Sequence, residues 1–260
     1  MTLSEHYLKD LIVPKFFVRS KIEFLTGKIS FAELMTRTGD IFRNKWQNID
    51  ELIAFNTKQG VPSSFFIGVK NGVGLNYPVS AAAFWIKRML EKNCEVSIHG
   101  IEFETYEKIK SEYDIFRNMS AQAAFGIRMH YVRTNEETYT NMAKAGYIYD
   151  STEMGFRAPY KIGNMWEFPF QIMDSYIIEK PRQWQSKNLQ QAKDETRLLI
   201  DKAFECKLPY LGIDFHDRYF SPSFKTWMEW YMWLTTYLKE NQIECVNFKT
   251  AVKELESPQA

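Results

Sequence analysis

Residues 95–116 read EVSIHGIEFETYEKIKSEYDIF, and this stretch decides the fold class. Glu95–Gly100 is a short, largely apolar run with Val96 and Ile98 alternating, the pattern of a buried strand. From Phe103 the period changes. Phe103, Tyr106, Ile109, Tyr113 and Phe116 recur every three or four residues, which places them on one face of a helix. A strand running straight into a helix is half of a βαβ unit.

The same succession repeats along the chain. Strand candidates are SSFFIGV (63–69), EVSIHG (95–100), FGIRMH (125–130), YIYDS (147–151), YIIE (176–179), YLGIDFH (210–216) and ECVNF (244–248). Between them lie the helical patterns NIDELIAFNTKQ, VSAAAFWIKRMLEKN, FETYEKIKSEYDIF, NEETYTNMAKA, LQQAKDETRLLIDKAFE and FKTWMEWYMWLTTYLKEN. Thr134, three residues ahead of Glu137, has the spacing of a capping box. Strands about 30 residues apart with helices between them call for crossovers, and crossovers make a parallel sheet. A barrel and an open doubly wound sheet both satisfy this spacing. No GxGxxG or GxxxxGK[ST] follows a strand, which removes the main support for a nucleotide-binding sheet. The expectation is an α/β fold: an irregular (β/α) barrel of about seven parallel strands. A single domain over residues 1–260 is expected, with one long Gly-, Pro- and aromatic-rich loop at 152–174, TEMGFRAPYKIGNMWEFPFQIMD.

Composition narrows the function class. The 33 Lys and Arg nearly cancel 32 Asp and Glu, so no broad positive field invites a nucleic-acid backbone. Cys94, Cys206 and Cys245 are odd in number and form no CxxC pair, which speaks against a disulfide framework and for a reducing compartment. The first 17 residues lack the basic and apolar segments of a secretory signal, and no apolar run is long enough to span a bilayer, so a soluble, cytoplasmic protein is expected. The Trp-rich pattern at 226–238 reads as core packing, with contact to a membrane surface as the alternative.

In parallel α/β barrels the working side chains stand where strands end. The ends of the expected strands carry His99, Arg128 with His130, Asp150 with Ser151, and His216 with Asp217, and Asp174 lies near a further strand. Three of the chain's 4 histidines therefore fall at strand ends. Arg128 and His130, two residues apart on a strand, are expected to share a face. His, Asp and Arg without a Ser or Cys nucleophile elbow point to metal-assisted hydrolysis or to acid–base work by carboxylates and histidines.

These residues carry a family resemblance. VPSSFFIGV resembles the "ATFF" strand of the polysaccharide deacetylase (NodB-homology) superfamily, and EVSIHG the segment ending in its metal-binding histidine. GIRMHYVR, AGYIYDST, GFRAPY and FPFQIMD are similar to a subgroup from surface-polysaccharide and O-antigen gene clusters, and YLGIDFHDRYF resembles the last motif, whose histidine is a general acid. The match runs in order over residues 36–250. It implies a distorted (β/α) barrel and a metal-dependent hydrolase that removes an acyl group from an amino sugar of a surface polysaccharide.

The resemblance also implies roles. His216 stands at the general acid, Arg128 at the arginine that orients the catalytic carboxylate, and His130 and Asp217 beside them. A divalent metal, zinc first, would take Asp40, His99 and a third ligand, with Glu102, His130 and Asp217 as the choices and Glu102 nearest in sequence. Arg157 in GFRAP suits a carboxylate or phosphate in fork geometry, or else anchors the loop. Tyr160 and Trp166 offer rings for a sugar to stack on. The chain departs from the pattern twice. Gly39 stands where the catalytic base belongs, and Phe103 where the second histidine of an HxxxH pair belongs. A metal-free acid–base enzyme and a non-catalytic carbohydrate-binding relative therefore stay open beside the deacetylase, and the oligomeric state is not specified.

Overall fold

The computed structural model describes residues 11–43, 47–72, 74–179 and 185–257. In chain order the elements are α1 (Ile12–Leu25), α2 (Phe31–Arg43), α3 (Ile49–Gln59), β1 (Ser64–Ile67), α4 (Val79–Glu91), β2 (Glu95–Gly100), α5 (Tyr106–Ser120), β3 (Ile127–Met129), α6 (Thr138–Ala145), β4 (Tyr149–Asp150), β5 (Tyr160–Ile162), β6 (Met165–Glu167), β7 (Phe170–Met173), α7 (Asp174–Ile178), α8 (Leu189–Glu205), β8 (Gly212–Asp214), α9 (Lys225–Glu240) and α10 (Phe248–Glu256). The chain divides into two compact units. One, the helical unit, takes the described residues up to Gln59 with Ile172–Glu205 and Ile213–Glu244. The other, the sheet unit, takes Gly60–Gln171, Cys206–Gly212 and the chain from Cys245 on.

The sheet unit is built on six strands in the order β1-β2-β3-β4-β6-β5. All neighbours are parallel except β5 with β6. Ile67, Ile98 and Ile127 align across β1, β2 and β3 and are fully buried, as strands covered on both faces require. Helix α5 begins on Thr105, whose hydroxyl accepts from Lys108 N, and buries Ile109, Tyr113 and Phe116 at the expected helical spacing. Tyr149, Phe168, Ala251 and Val252 form a second buried cluster with Phe66, Tyr210 and Phe248 around it. Its polar neighbour is Glu95, whose carboxylate accepts from Tyr149 OH at 2.6 Å, Ser64 Oγ at 2.7 Å and Lys249 N at 3.2 Å. The Lys249 amide lies in the first turn of α10, so the end of a helix meets a buried carboxylate there.

The helical unit is organised around Arg37, which is fully buried. Its guanidinium donates to Ser223 O at 2.7 Å, Glu23 Oε2 at 2.5 Å and Glu33 Oε1 at 2.9 Å, so the cation is paired on every side it presents. Helix α9 buries Trp227, Trp230, Tyr231, Leu234 and Leu238, so the Trp-rich stretch is core. Strands β7 and β8 make a separate two-stranded sheet.

Sequence and structure part at four places. YIIE (176–179) is not a strand: Ile177 and Ile178 are buried in the single turn of α7, and the strand lies earlier, at Phe170–Met173. ECVNF (244–248) forms none, because Asn247 caps α10 by accepting from Thr250 N at 2.9 Å. The expected loop at 152–174 holds three strands, with Gly163 and Asn164 as the two-residue turn between β5 and β6 and Gly163 at φ +60°. Thr134 caps nothing. Helix α6 starts four residues later, where Asn135 Oδ1 accepts from Glu137 N at 3.0 Å.

Candidate functional site

His216 lies two residues beyond β8, and Asp174 follows β7 directly, so two strand ends supply the two partners. Asp174 Oδ2 accepts from the His216 backbone amide at 2.6 Å and Asp174 Oδ1 faces ring Nδ1 at 2.8 Å. Asp174 is completely buried, whereas the His216 side chain is 34% exposed. A carboxylate only accepts, so Nδ1 carries a proton and Nε2 is the nitrogen left to react. Burial works against a charged ring, but Asp174, by charge and hydrogen bond, and Asp214 outweigh it and raise the His216 pKa above the ordinary imidazole value.

Two further groups stand behind this pair. Tyr219 OH donates to Glu179 Oε1 at 2.8 Å, and the Tyr219 ring lies edge-on to His216 at 5.9 Å. Burial first, then the Asp174 charge, lifts the Glu179 carboxyl to about 7. Asp217 is buried at the start of the 3-10 turn Asp217–Tyr219. Sequence reading had Asp174 near a strand and missed Glu179, which it placed inside a strand.

The sheet unit holds a second cluster. His99 and Arg128 are register partners on β2 and β3, and His130 opens the turn that ends β3. His99 Nδ1 lies 3.2 Å from Arg128 O, and His99 Nε2 lies 3.0 Å from His130 Nδ1. A carbonyl accepts, so His99 Nδ1 carries the proton; in the neutral pair His130 Nδ1–H then donates to His99 Nε2. Both ring nitrogens of His99 are engaged. Arg128 is buried and donates to Ser151 O at 2.8 Å and Ser151 Oγ at 2.9 Å. Its guanidinium also lies 4.6 Å from the Phe66 ring and 5.3 Å from that of Phe170.

The ligands expected for a metal have other partners. Asp40 accepts from Ser223 Oγ in the helical unit. Glu102, in the sheet unit, pairs with Lys70 at 3.4 Å. Among the described residues no group of three or more His, Cys, Asp or Glu is placed to hold a metal ion. As they stand, these donors do not fit one.

Of the expected sugar-contacting residues, Arg157 and Tyr160 stack, with the guanidinium carbon 3.7 Å from the ring centre. Trp166 does not join them. Tyr160 pairs with Glu167 and Lys161 with Trp166 across the β5–β6 hairpin, so Tyr160 and Trp166 face opposite sides, and Trp166 lies against Lys161. Behind Tyr160 is a pair that sequence reading missed, Asp150 and Glu167, neighbours on β4 and β6 and both fully buried. Burial above all, then the Asp150 charge, holds the Glu167 carboxyl well above the usual range, and burial raises that of Asp150 against its hydrogen bonds.

No protein-family model matches the sequence, and no curated protein matches it either. Solved structures do match. A Pseudomonas aeruginosa PAO1 protein assigned to the polysaccharide deacetylases superposes with a TM-score of 0.60 at 17% identity, over 82% of this chain and 75% of that one. A Mycobacterium smegmatis protein assigned likewise covers 94% of this chain and 92% of its own, at 12% identity and a TM-score of 0.54. The chain has the polysaccharide-deacetylase fold. The same deacetylase fold carries Puue allantoinase, which matches at 15% identity and a TM-score of 0.60 over 82% of this chain and 74% of that one. The fold class read from the βα repeats and the motif order is thus the fold observed, although the main sheet has one antiparallel edge strand, β5, and β7 and β8 stand in a second sheet. A fold shared with an allantoinase does not select a substrate, so the chemistry has to come from the side chains.

Proposed function

We propose that the chain hydrolyses the amide of an N-acylated amino sugar, a cytoplasmic precursor of a surface polysaccharide, with His216 as the acid that protonates the departing amine. The observation that carries this reading is the double contact between Asp174 and His216. The ordered motif resemblance and the deacetylase fold support the substrate class, and the spread cysteines fit a reducing compartment.

The chemistry follows from the dyad. Water adds to the amide carbonyl carbon and releases its proton to solvent, and the C–N bond of the resulting tetrahedral species breaks. Nitrogen leaves well only as the neutral amine, so a proton must arrive as the bond breaks. His216 supplies it from Nε2 and keeps its Nδ1 proton, which donates to Asp174, and that contact fixes the ring and stabilises its charged form. The Asp174 carboxylate raises the His216 pKa and so favours the charged ring that an acid needs. The sheet unit, taken by itself, carries a second acid–base group in His130, bonded to His99, and a guanidinium stacked on a ring in Arg157 and Tyr160.

A divalent ion, zinc by resemblance, would need lone pairs that Asp40, Glu102 and His99 direct elsewhere, so no step is routed through it. The His99–His130 bond favours as second reading an acid–base hydrolase that works without a metal. The experiment is release of free amine from N-acetyl and N-formyl amino sugars, offered free, nucleotide-linked and lipid-linked, with and without a chelator. Release that His216→Gln lowers about a hundredfold supports the proposal. Survival of the rate in chelator selects the second reading, and no release from any substrate defeats both.

A further inference from the structure

The N-terminal helical hairpin, α1 with α2, divides its side chains by charge in an unusual way. Its acids are Glu23, Glu33 and Asp40, and all three are buried: two on Arg37 and the third on Ser223. Its large outward side chains are apolar or cationic, and the exposed polar ones, such as Thr26 and Ser30, carry no charge. Val18, Ile22 and Leu25 are 53–80% exposed, and at 3.6 residues per turn they stand on the side of α1 opposite the buried Phe16, Ser20 and Glu23. Phe31, Met35 and Phe42 are 52–83% exposed, on the side of α2 opposite the buried Glu33, Arg37 and Asp40. Phe24 and Phe31 touch across the turn, with ring centres 5.9 Å apart, and so join the two helices. Lys15, Lys21 and Lys28 are exposed in the same hairpin. Among its described residues there is no exposed acid.

Six large apolar side chains on two neighbouring helices are more than scattered surface residues. Exposed apolar groups with only positive charge beside them match one kind of partner: a surface whose interior is apolar and whose face is negative. We infer that this hairpin docks on an anionic lipid bilayer, with Leu25 and Phe31 entering the headgroup region and Lys21 and Lys28 meeting lipid phosphates. A second copy of the chain fits less well. An isologous contact through this face would set lysines against lysines with no acid to answer them. No helix among the described residues is long and apolar enough to cross a membrane, so the contact is peripheral.

The test is flotation of the full chain with vesicles of phosphatidylcholine, and with vesicles of phosphatidylcholine and phosphatidylglycerol in equal parts. The chain floats with the anionic vesicles, binds the neutral ones at least about tenfold more weakly, and is released by salt. Leu25→Ser with Phe31→Ser, and separately Lys21→Gln with Lys28→Gln, each weaken vesicle binding by roughly tenfold. All four side chains are exposed, so far-UV circular dichroism and thermal melting stay at wild type. Absence of flotation with anionic vesicles, or flotation that either double variant leaves unchanged, overturns the inference. A dimer in sedimentation that Leu25→Ser with Phe31→Ser abolishes, without flotation, gives the face to a second copy and overturns it equally.

Discussion

Asp174 holds His216 at two points, its backbone amide at 2.6 Å and its ring Nδ1 at 2.8 Å, so one buried carboxylate sets both the loop and the tautomer. Asp174→Asn keeps the shape and removes the charge. The turnover number is expected to fall by about a hundredfold or more, with little change in KM. Because Asp174 raises the His216 pKa, the acid is present at low pH and is lost as pH rises through that raised value. The alkaline limb of the wild-type rate profile therefore lies above the ordinary imidazole range and moves to lower pH in Asp174→Asn. The stabilisation from this pair has the same sign, complete below the unfolded pKa and lost as pH rises through the folded one.

Glu112 makes a prediction of the opposite chemical type. It is fully buried, and its carboxyl accepts from Ile101 N and Glu102 N at 3.1 Å, holding the segment that leaves β2 just after His99. Burial lifts its pKa to about 7 against the amides that favour the charge. The folded state therefore binds a proton that the unfolded chain gives up near 4.5, so stability falls as pH rises between those values. Glu112→Gln is expected to remove on the order of 2 kcal/mol of that fall, read as urea denaturation at pH values on either side of the window.

Arg128 is a structural anchor whatever else it does. Arg128→Ala is expected to cost about 3 kcal/mol, because it empties a slot against Phe66 and Phe170 and removes two bonds to Ser151. Arg128→Lys recovers only part of this, since an ammonium cannot make both bonds from one plane. Chemical denaturation of the two variants is the check.

Gly126 has no room for a methyl group. A Cβ there would overlap the ring of Tyr149, whose hydroxyl donates to Glu95. Gly126→Ala is expected to destabilise by about 2 kcal/mol through displacement of that ring, measured as a lowered melting temperature.

The sequence was most legible where period and burial agree. EVSIHG is a strand end to end, and LQQAKDETRLLIDKAFE is a helix over the same residues that its pattern marked. It was least legible where a short apolar run fits either period. Ile177–Ile178 looked like a strand because β-branched residues prefer one, but one helical turn buries them as well. The hairpin at Gly163–Asn164 carried a usable turn signal that a count of Gly, Pro and aromatics blurred into a loop. For the site, motif order put His216 at a strand end and Asp174 near a strand, and chain direction alone could not show that they bond. Glu112, Glu179 and Glu167 were invisible because an ordinary glutamate on a surface and one forced into an apolar interior are the same letter.

The most direct measurement of the central claim is release of free amine from an N-acylated amino sugar by wild type and by His216→Gln, at matched substrate saturation. Measurable release by the wild type is expected, with a drop of about a hundredfold in turnover number for His216→Gln and KM nearly unchanged. Equal rates for the two proteins would contradict the assignment of His216 as the acid.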